Sequence, residues 1–319
     1  MTLEKDNTTM ITVGIDSMNP KFRQSHDFVF SPQSYSSTEE MIIALLCSRE
    51  NVHQIQDDMP VEEMVRFKPK AYLFKTEILE SWFETEQKNL YSRLQVATKN
   101  LMQTLTTVGE DGKTFQHENF FTKCVFNAEG LYMLPSQSFY DRIFLSKNGF
   151  AEIDQPSFVS LKSNHHAMRL FRLLSRFKNG KNKVYKIEIE KLKQLFGIYD
   201  ENFEVQKKSY VVTSTFLSKI INPAIKSLVD SNLVSHRLKF HYADDDIKKR
   251  HLGIKKHTHR GKLTHIEFLY EWFAEEALTE HSFNYSKKEA YTRLKELISL
   301  KHSRQLSLDE LYEAKACLE

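Results

Sequence analysis

The stretch from Thr213 to Asn232 constrains the fold more than any other part of this 319-residue chain. Its apolar side chains recur three and four residues apart, so they line one side of an α-helix. These apolar positions are Leu217, Ile220, Ile221, Ala224, Ile225 and Leu228. Thr213 or Ser214 is the expected N-cap of this helix. Pro223 is expected to bend it, because proline removes one backbone hydrogen bond.

The opposite stripe of this helix carries donors and no acid. It holds two cations, two hydroxyls and one amide, which are Thr215, Ser218, Lys219, Asn222 and Lys226. Side chains of these types suit the major groove of DNA, where Lys meets guanine, Asn meets adenine, and Ser or Thr meets either. An ordinary solvated surface helix has the same pattern, so the surroundings of the helix must decide between the two interpretations.

Charge is distributed very unevenly along the chain. Residues 160–270 hold 23 Lys and Arg against 10 Asp and Glu, a net charge of +13, whereas the chain as a whole has a net charge of only +3. The flanking residues 1–159 and 271–319 are net −7 and −3. A basic segment between acidic flanks indicates that this segment meets a polyanion such as nucleic acid.

Cysteine usage and hydropathy indicate the compartment. Cys47, Cys124 and Cys317 are odd in number and far apart, so they fit neither a disulfide framework nor a zinc ligand set. A reducing cytosol is therefore expected. No run of about eighteen apolar residues exists and no signal peptide is recognisable, so the sequence predicts neither a membrane span nor a membrane partner.

The first half of the chain has the order of a winged helix. Residues 1–35 are polar and aperiodic, and they are predicted to be a flexible N-terminal arm. The first domain is placed at 36–160. Its predicted helices begin at Ser37, Pro60 and Glu77, the last with a break near Lys88, and a β-hairpin follows.

The second half repeats this order of elements in a second predicted domain, 161–275. A helix from His165 to Phe177 and a short helix from Ile189 to Phe196 precede the helix at Thr213. Strands Leu233–Tyr242 and Leu263–Tyr270 follow, with a long basic, His-rich loop between them. Residues 276–319 read as a helical C-terminal extension. The predicted fold is therefore α+β, mainly α, with two tandem winged-helix domains.

Several of these segments resemble a known family. HHAMRLFRLLSRFKNG, YKIEIEKLKQLFGI and FLSKIINPAIKSLVDSN resemble the second winged helix of plasmid replication initiators of the iteron-binding, theta-type family. THRGKLTHIEF resembles the final hairpin of that family, with Arg260-Gly261 in place of Gly-Arg. LYSRLQVATKNLMQTLTTV resembles the family's first winged helix. In all, the resemblance covers about residues 36–273.

The resemblance implies a function. Such proteins bind repeated double-stranded DNA sites, the iterons, at a plasmid or phage origin. They repress their own promoter as dimers, which pair largely through the first domain, and they recruit host replication proteins. For this chain it implies a bacterial, cytoplasmic protein associated with plasmid or nucleoid DNA, in a monomer–dimer equilibrium. The first domain would contact the DNA backbone, and the second would supply most of the sequence-specific binding.

Candidate DNA contacts divide into base readers and phosphate contacts. The base-reading candidates are Thr215, Ser218, Lys219 and Asn222 on the Thr213 helix. The phosphate candidates are basic residues on that helix, on the His165 helix and in the basic loop: Lys226, Arg169, Arg172, Arg176, Lys248, Lys249, Arg250, Lys255, Lys256, Arg260 and Lys262.

No enzyme signature accompanies these residues. VGEDGKTF lacks the glycine that a phosphate-binding loop needs at position 107, which is Thr. In His257-Thr258-His259, the histidines flank Thr rather than the bulky apolar residue of the paired metal histidines in rolling-circle nucleases. The sequence therefore predicts no catalysis, no metal and no cofactor. A transcriptional regulator with the same fold and, from the enzyme class, a nicking relaxase or nuclease are the alternatives.

Overall fold

The computed structural model describes residues 10–13, 19–55, 68–103, 105–108, 115–178, 184–244, 251–273 and 295–296. In these ranges, helices α1 to α10 are His26–Val29, Ser37–Cys47, Thr76–Phe83, Gln87–Leu101, Gln137–Phe144, Gln155–Ser160, His165–Ser175, Ile189–Leu195, a three-part α9 (Thr213–Phe216, Leu217–Ile221 and Asn222–Asp230) and Asn232–Ser235. Strands β1 to β14 are Met10–Val13, Lys21–Ser25, His53–Gln54, Ala71–Lys75, Leu105–Val108, Phe115–Glu118, Phe121–Asn127, Gly130–Pro135, Leu145–Ser146, Phe150–Asp154, Val184–Glu188, Leu238–Phe240, Ile254–His259 and Lys262–Trp272.

The first half is built on α2, which is buried from Glu39 to its end at Cys47. Ser36 caps it in a capping box with Glu39, as the Ser-x-x-Glu pattern predicts. Helices α3 and α4 pack beside a four-stranded sheet in the order β1-β4-β8-β7. The helical pattern breaks at Glu84, which adopts a left-handed conformation with φ 46°, close to the predicted break. The fold is mixed α/β, and several of its strands, such as β4 and β8, are missing from the predicted order.

The predicted flexible arm is wrong for residues 19–35. Lys21–Ser25 forms β2, which pairs antiparallel with β10, and Phe22 packs edge-on against Phe158 at 5.3 Å between ring centroids. Phe28 and Val29 are also buried. The polar composition of this stretch does not indicate a strand, because the strand forms by pairing with a partner more than a hundred residues away.

The second half combines three helices with a sheet. Helix α8 packs on the sheet β11-β14-β12, helix α9 packs on α7, and β13 pairs with residues 262–268 of β14. Two predictions are corrected here. Leu233–Tyr242 is not one strand, because α10 occupies its beginning and only β12 is extended. The basic His-rich segment is not all loop, because Ile254–His259 forms β13.

Two predicted segments lie largely outside the described residues. These are the helix beginning at Pro60 and the C-terminal extension 276–319, of which only residues 295 and 296 are described.

A buried polar cluster joins the two halves, and it consists of Gln33, Glu40, Arg169 and Arg172. Arg172 is fully buried, forms an ion pair with Glu40, and donates to Gln33 Oε1 at 2.6 Å. Arg169 donates to the same oxygen at 2.8 Å. Its other donors meet the backbone carbonyls of Ser31 and Leu195 at 2.7 and 3.1 Å.

The prediction that Arg169 and Arg172 contact phosphates is therefore wrong. Both guanidinium groups point into the junction between the halves, and their side chains are 3% and 0% exposed. The rings of Phe28 and Phe158 lie 5.5 and 5.7 Å from the Arg172 guanidinium, which shields it further. A buried charge needs a partner, and here the partners come from the first half of the chain.

Candidate nucleic-acid interface

The two faces of α9 separate as the sequence predicts. All six apolar stripe residues are buried, with Ile220, Ile221, Ala224 and Leu228 at 0% exposed. On the other side, Ser218, Lys219, Asn222 and Lys226 are exposed, and Thr215 is half-buried. The N-cap prediction is wrong: Val212 occupies the cap position, and it makes no side-chain capping bond.

Pro223 is accommodated inside α9 by a wider turn. Residues Leu217–Ile221 form a π-helical turn, and the Asn222 N–H donates to the Leu217 carbonyl, five residues back. The backbone at both joins stays right-handed helical, with φ −63° at Leu217 and −62° at Asn222. The exposed stripe therefore runs along one continuous helix.

The buried side of α9 packs on α7 and on Asn164, the residue that caps α7. The Asn164 side chain accepts from the N–H groups of His166 and Ala167 and so caps α7. Its amide nitrogen donates to Ser227 Oγ at 2.9 Å. This arrangement fixes the second part of α9 and leaves its outer face open.

Not all of the predicted base readers are equivalent. The Ser218 hydroxyl donates to the Thr215 carbonyl at 3.2 Å, within the helix itself. Lys219 and Asn222 are exposed, and neither has a side-chain hydrogen bond to any part of the protein that the structure describes. Both therefore have donors open to a ligand.

The basic segment ends in a tight hairpin of β13 and β14. His259 pairs with Lys262, so Arg260 and Gly261 form a two-residue turn. Both have positive φ, 51° and 76°, which is the type I′ geometry that matches the twist of paired strands. The turn places Arg260 and Lys262 at an exposed tip.

The remaining phosphate candidates differ in their surroundings. Lys256 and Lys226 are exposed, and Lys255 is half-buried. Arg176 donates to the Asn148 carbonyl at 2.7 Å and to His26 Nδ1 at 3.1 Å, so two of its donors serve the first half of the protein. Lys248, Lys249 and Arg250 lie outside the described residues.

A second acid-free helix holds none of the candidate DNA contacts predicted from the sequence. Helix α4, Gln87–Leu101, contains no Asp or Glu, and its three cations Lys88, Arg93 and Lys99 are all exposed. The sequence signal is the same as for α9, an apolar stripe opposite a face without acids. In α4 this buried stripe consists of Leu90, Leu94, Ala97 and Leu101. The first half, net acidic overall, therefore also presents a basic helical face.

Within the described ranges, no group of three or more His, Cys, Asp or Glu residues could hold a metal ion. The His257 side chain is hydrogen-bonded to Glu267, with 2.5 Å between Nε2 and Oε2. The rings of His165 and His166 lie 3.8 Å apart. Burial lowers the pKa of His166 to about 3, so this residue is neutral at pH 7.

The comparisons with known proteins agree with this geometry. The chain is similar to the initiator in the "Crystal structure of Pi initiator protein in complex with iteron DNA", with a TM-score of 0.55 and 15% sequence identity. The match covers 80% of this chain and 98% of that chain. The protein therefore has the mixed α/β fold of a replication initiator.

The sequence also matches a family model. "Initiator Replication protein, WH1" matches residues 21–175, which begins inside the predicted arm and ends with α7. This segment therefore matches the initiator replication proteins, which confirms the resemblance. No curated protein matches the sequence. A search of the described helices finds none that is long and apolar enough to span a membrane.

Proposed function

We propose that this protein binds repeated double-stranded DNA sites at its own plasmid or phage origin and initiates replication there without catalysis. One observation carries the proposal: α9 exposes an acid-free row of Ser218, Lys219, Asn222 and Lys226 above a fully buried apolar stripe. The family match and the fold shared with an initiator crystallised on iteron DNA support it.

We further propose that the two halves are tandem winged helices. In the second half, α7, α8 and α9 are followed by the β13–β14 hairpin, so α9 is the recognition helix and the hairpin is the wing. In the first half, α4 is followed by the β5–β6 hairpin in the corresponding order. Two DNA-contacting units on one chain, repeated over adjacent sites, would bend the duplex and favour melting of a nearby A·T-rich segment.

Base readout by α9 is tested by removing its two open donors. Asn222→Ala and Lys219→Ala should each cost about 1–3 kcal/mol on the cognate repeat, because each removes a hydrogen bond to a base edge. Affinity for scrambled DNA should fall much less, so the ratio of the two affinities should collapse. The measurement is a titration of cognate and scrambled duplexes at two salt concentrations, with circular dichroism to confirm folding.

Lys239→Ala is the matched control for the Lys219 variant. Lys239 is exposed on β12, outside the recognition helix, and its loss should leave the affinity ratio unchanged. If the Asn222 and Lys219 variants discriminate as well as the wild type, α9 is not the reading helix. The exposed face of α4 would then be the next candidate.

The wing should contribute charge without sequence preference. Replacing Lys255, Lys256, Arg260 and Lys262 by glutamine should weaken binding to cognate and scrambled duplexes alike. The slope of log K against log salt should flatten by roughly 0.9 for each phosphate that the protein no longer neutralises. Arg260→Asn alone tests the tip, since Asn tolerates the positive φ of this turn and keeps the hairpin. A salt slope identical to that of the wild type would place the wing away from DNA.

Assembly and regulation complete the proposal. The protein would bind direct repeats as a monomer, repress its own promoter as a dimer on inverted half-sites, and recruit host replication proteins. Sedimentation across concentration, with and without repeat DNA, measures the first two states. A protein that is monomeric under every condition would exclude the dimer.

A further inference from the structure

The wide turn of α9 lies directly beneath the candidate base readers. In an α-helix the carbonyl of residue 218 accepts from the N–H of residue 222, and in a π-turn it accepts from residue 223. Here the Asn222 N–H is donated to the Leu217 carbonyl. Residue 223 is proline, which has no N–H.

The Ser218 carbonyl is therefore left without its helical donors. Ser218 is exposed, and its side-chain hydroxyl donates to the Thr215 carbonyl at 3.2 Å. At this one position the chemistry of the recognition face is reversed. The residue has a backbone acceptor without a helical donor, while its hydroxyl donor is used inside the helix.

We propose that the Ser218 carbonyl oxygen reads a base. It accepts a hydrogen bond, directly or through one ordered water, from the exocyclic amino group of an adenine or a cytosine in the major groove. This rests on the proposed function and adds to it a backbone contact of the opposite hydrogen-bonding type. The neighbouring Lys219 has donors only, so it suits guanine O6 and N7, whereas the major-groove donors are adenine N6 and cytosine N4.

Two physical points favour a functional role for this turn. Proline inside a helix is strongly disfavoured relative to alanine, and single π-turns recur at functional sites. The side chain at position 218 is also small, and the residue is exposed.

The direct test uses the full-length wild-type protein and modified DNA. Each adenine of the cognate repeat is replaced in turn by purine, and each cytosine by pyrimidin-2-one, which removes one exocyclic amino group at a time. At the base pair read by the carbonyl, affinity should fall about tenfold, within the range expected when one hydrogen bond to a base edge is removed. That decrease should persist unchanged in Ser218→Ala, which lacks the hydroxyl and keeps the carbonyl.

Pro223→Ala provides the protein side of the test. Alanine supplies the missing N–H and allows a regular α-helical pattern, in which Asn222 N–H returns to the Ser218 carbonyl. The variant should be at least as stable as the wild type and yet show no penalty for the amino-less base at that one position. Its affinity for scrambled DNA should be unchanged.

The results that would overturn the inference are distinct. One is that every decrease caused by deleting an amino group disappears in Ser218→Ala or in Asn222→Ala, because the reader would then be a side chain. Another is that Pro223→Ala alters discrimination at several base pairs, because the turn would then act by reorienting neighbouring side chains. A wild-type protein that fails to prefer the repeat over scrambled DNA would refute the proposed function itself.

Discussion

Arg172→Ala should lower the free energy of unfolding by about 3–5 kcal/mol, because it leaves a buried charge without its partner. Glu40 is only 2% exposed, and its ion pair with Arg172 lies in the junction between the two halves. Gln33 Oε1 would also lose one of its two guanidinium donors. Chemical denaturation followed by circular dichroism measures the decrease in stability.

Two further variants test whether the lost stability comes from the unpaired buried charge. Arg172→Met combined with Glu40→Leu should recover much of the lost stability, because it removes both charges and keeps the volume filled. Arg93→Ala, an exposed arginine of α4, should change stability by less than about 0.5 kcal/mol. If Arg172→Ala were as stable as the wild type but bound DNA more weakly, Arg172 would be the phosphate contact that its sequence position suggested.

Ile221→Asp should unfold the second half of the protein and abolish specific and non-specific DNA binding together. Ile221 is 0% exposed within the apolar stripe of α9, and a carboxylate placed there has no partner. The expected loss of stability exceeds about 4 kcal/mol, a large share of the stability of a typical domain. Circular dichroism and thermal unfolding measure it.

Lys226→Asp introduces the same side chain on the opposite face of the same helix. Lys226 is exposed, so the protein should stay folded, while binding to all duplexes weakens because a positive charge near phosphate is reversed. The pair of variants separates the buried and exposed faces of α9. Equal stability of the two variants would contradict the amphipathic arrangement.

The local features of this structure followed from the order of residues. The buried stripe of α9 and the start of α2 at Ser37 were both predicted, because they depend only on spacing within a few residues. The break between α3 and α4 was predicted within a few residues of its place at Glu84. The Arg-Gly turn of the wing is likewise set by its own backbone angles.

The arginines of α7 show where such reasoning stops. Arg169, Arg172 and Arg176 recur at helical spacing, and that spacing alone is compatible with an exposed basic stripe. The partners of Arg169 and Arg172 are Gln33 and Glu40, which lie more than a hundred residues earlier in the chain. The periodicity of a helix contains no information about partners from distant parts of the chain.

The same reason explains the strands that were missed. Strand β2 lies in a polar segment and is defined by its register with β10, Lys21 opposite Asp154 and Ser25 opposite Phe150. The sequence by itself determined which helices form, which faces they bury and where the basic residues concentrate, because these properties are local. The tertiary structure decided which of those basic residues remain available to DNA, because burial depends on contacts between distant segments.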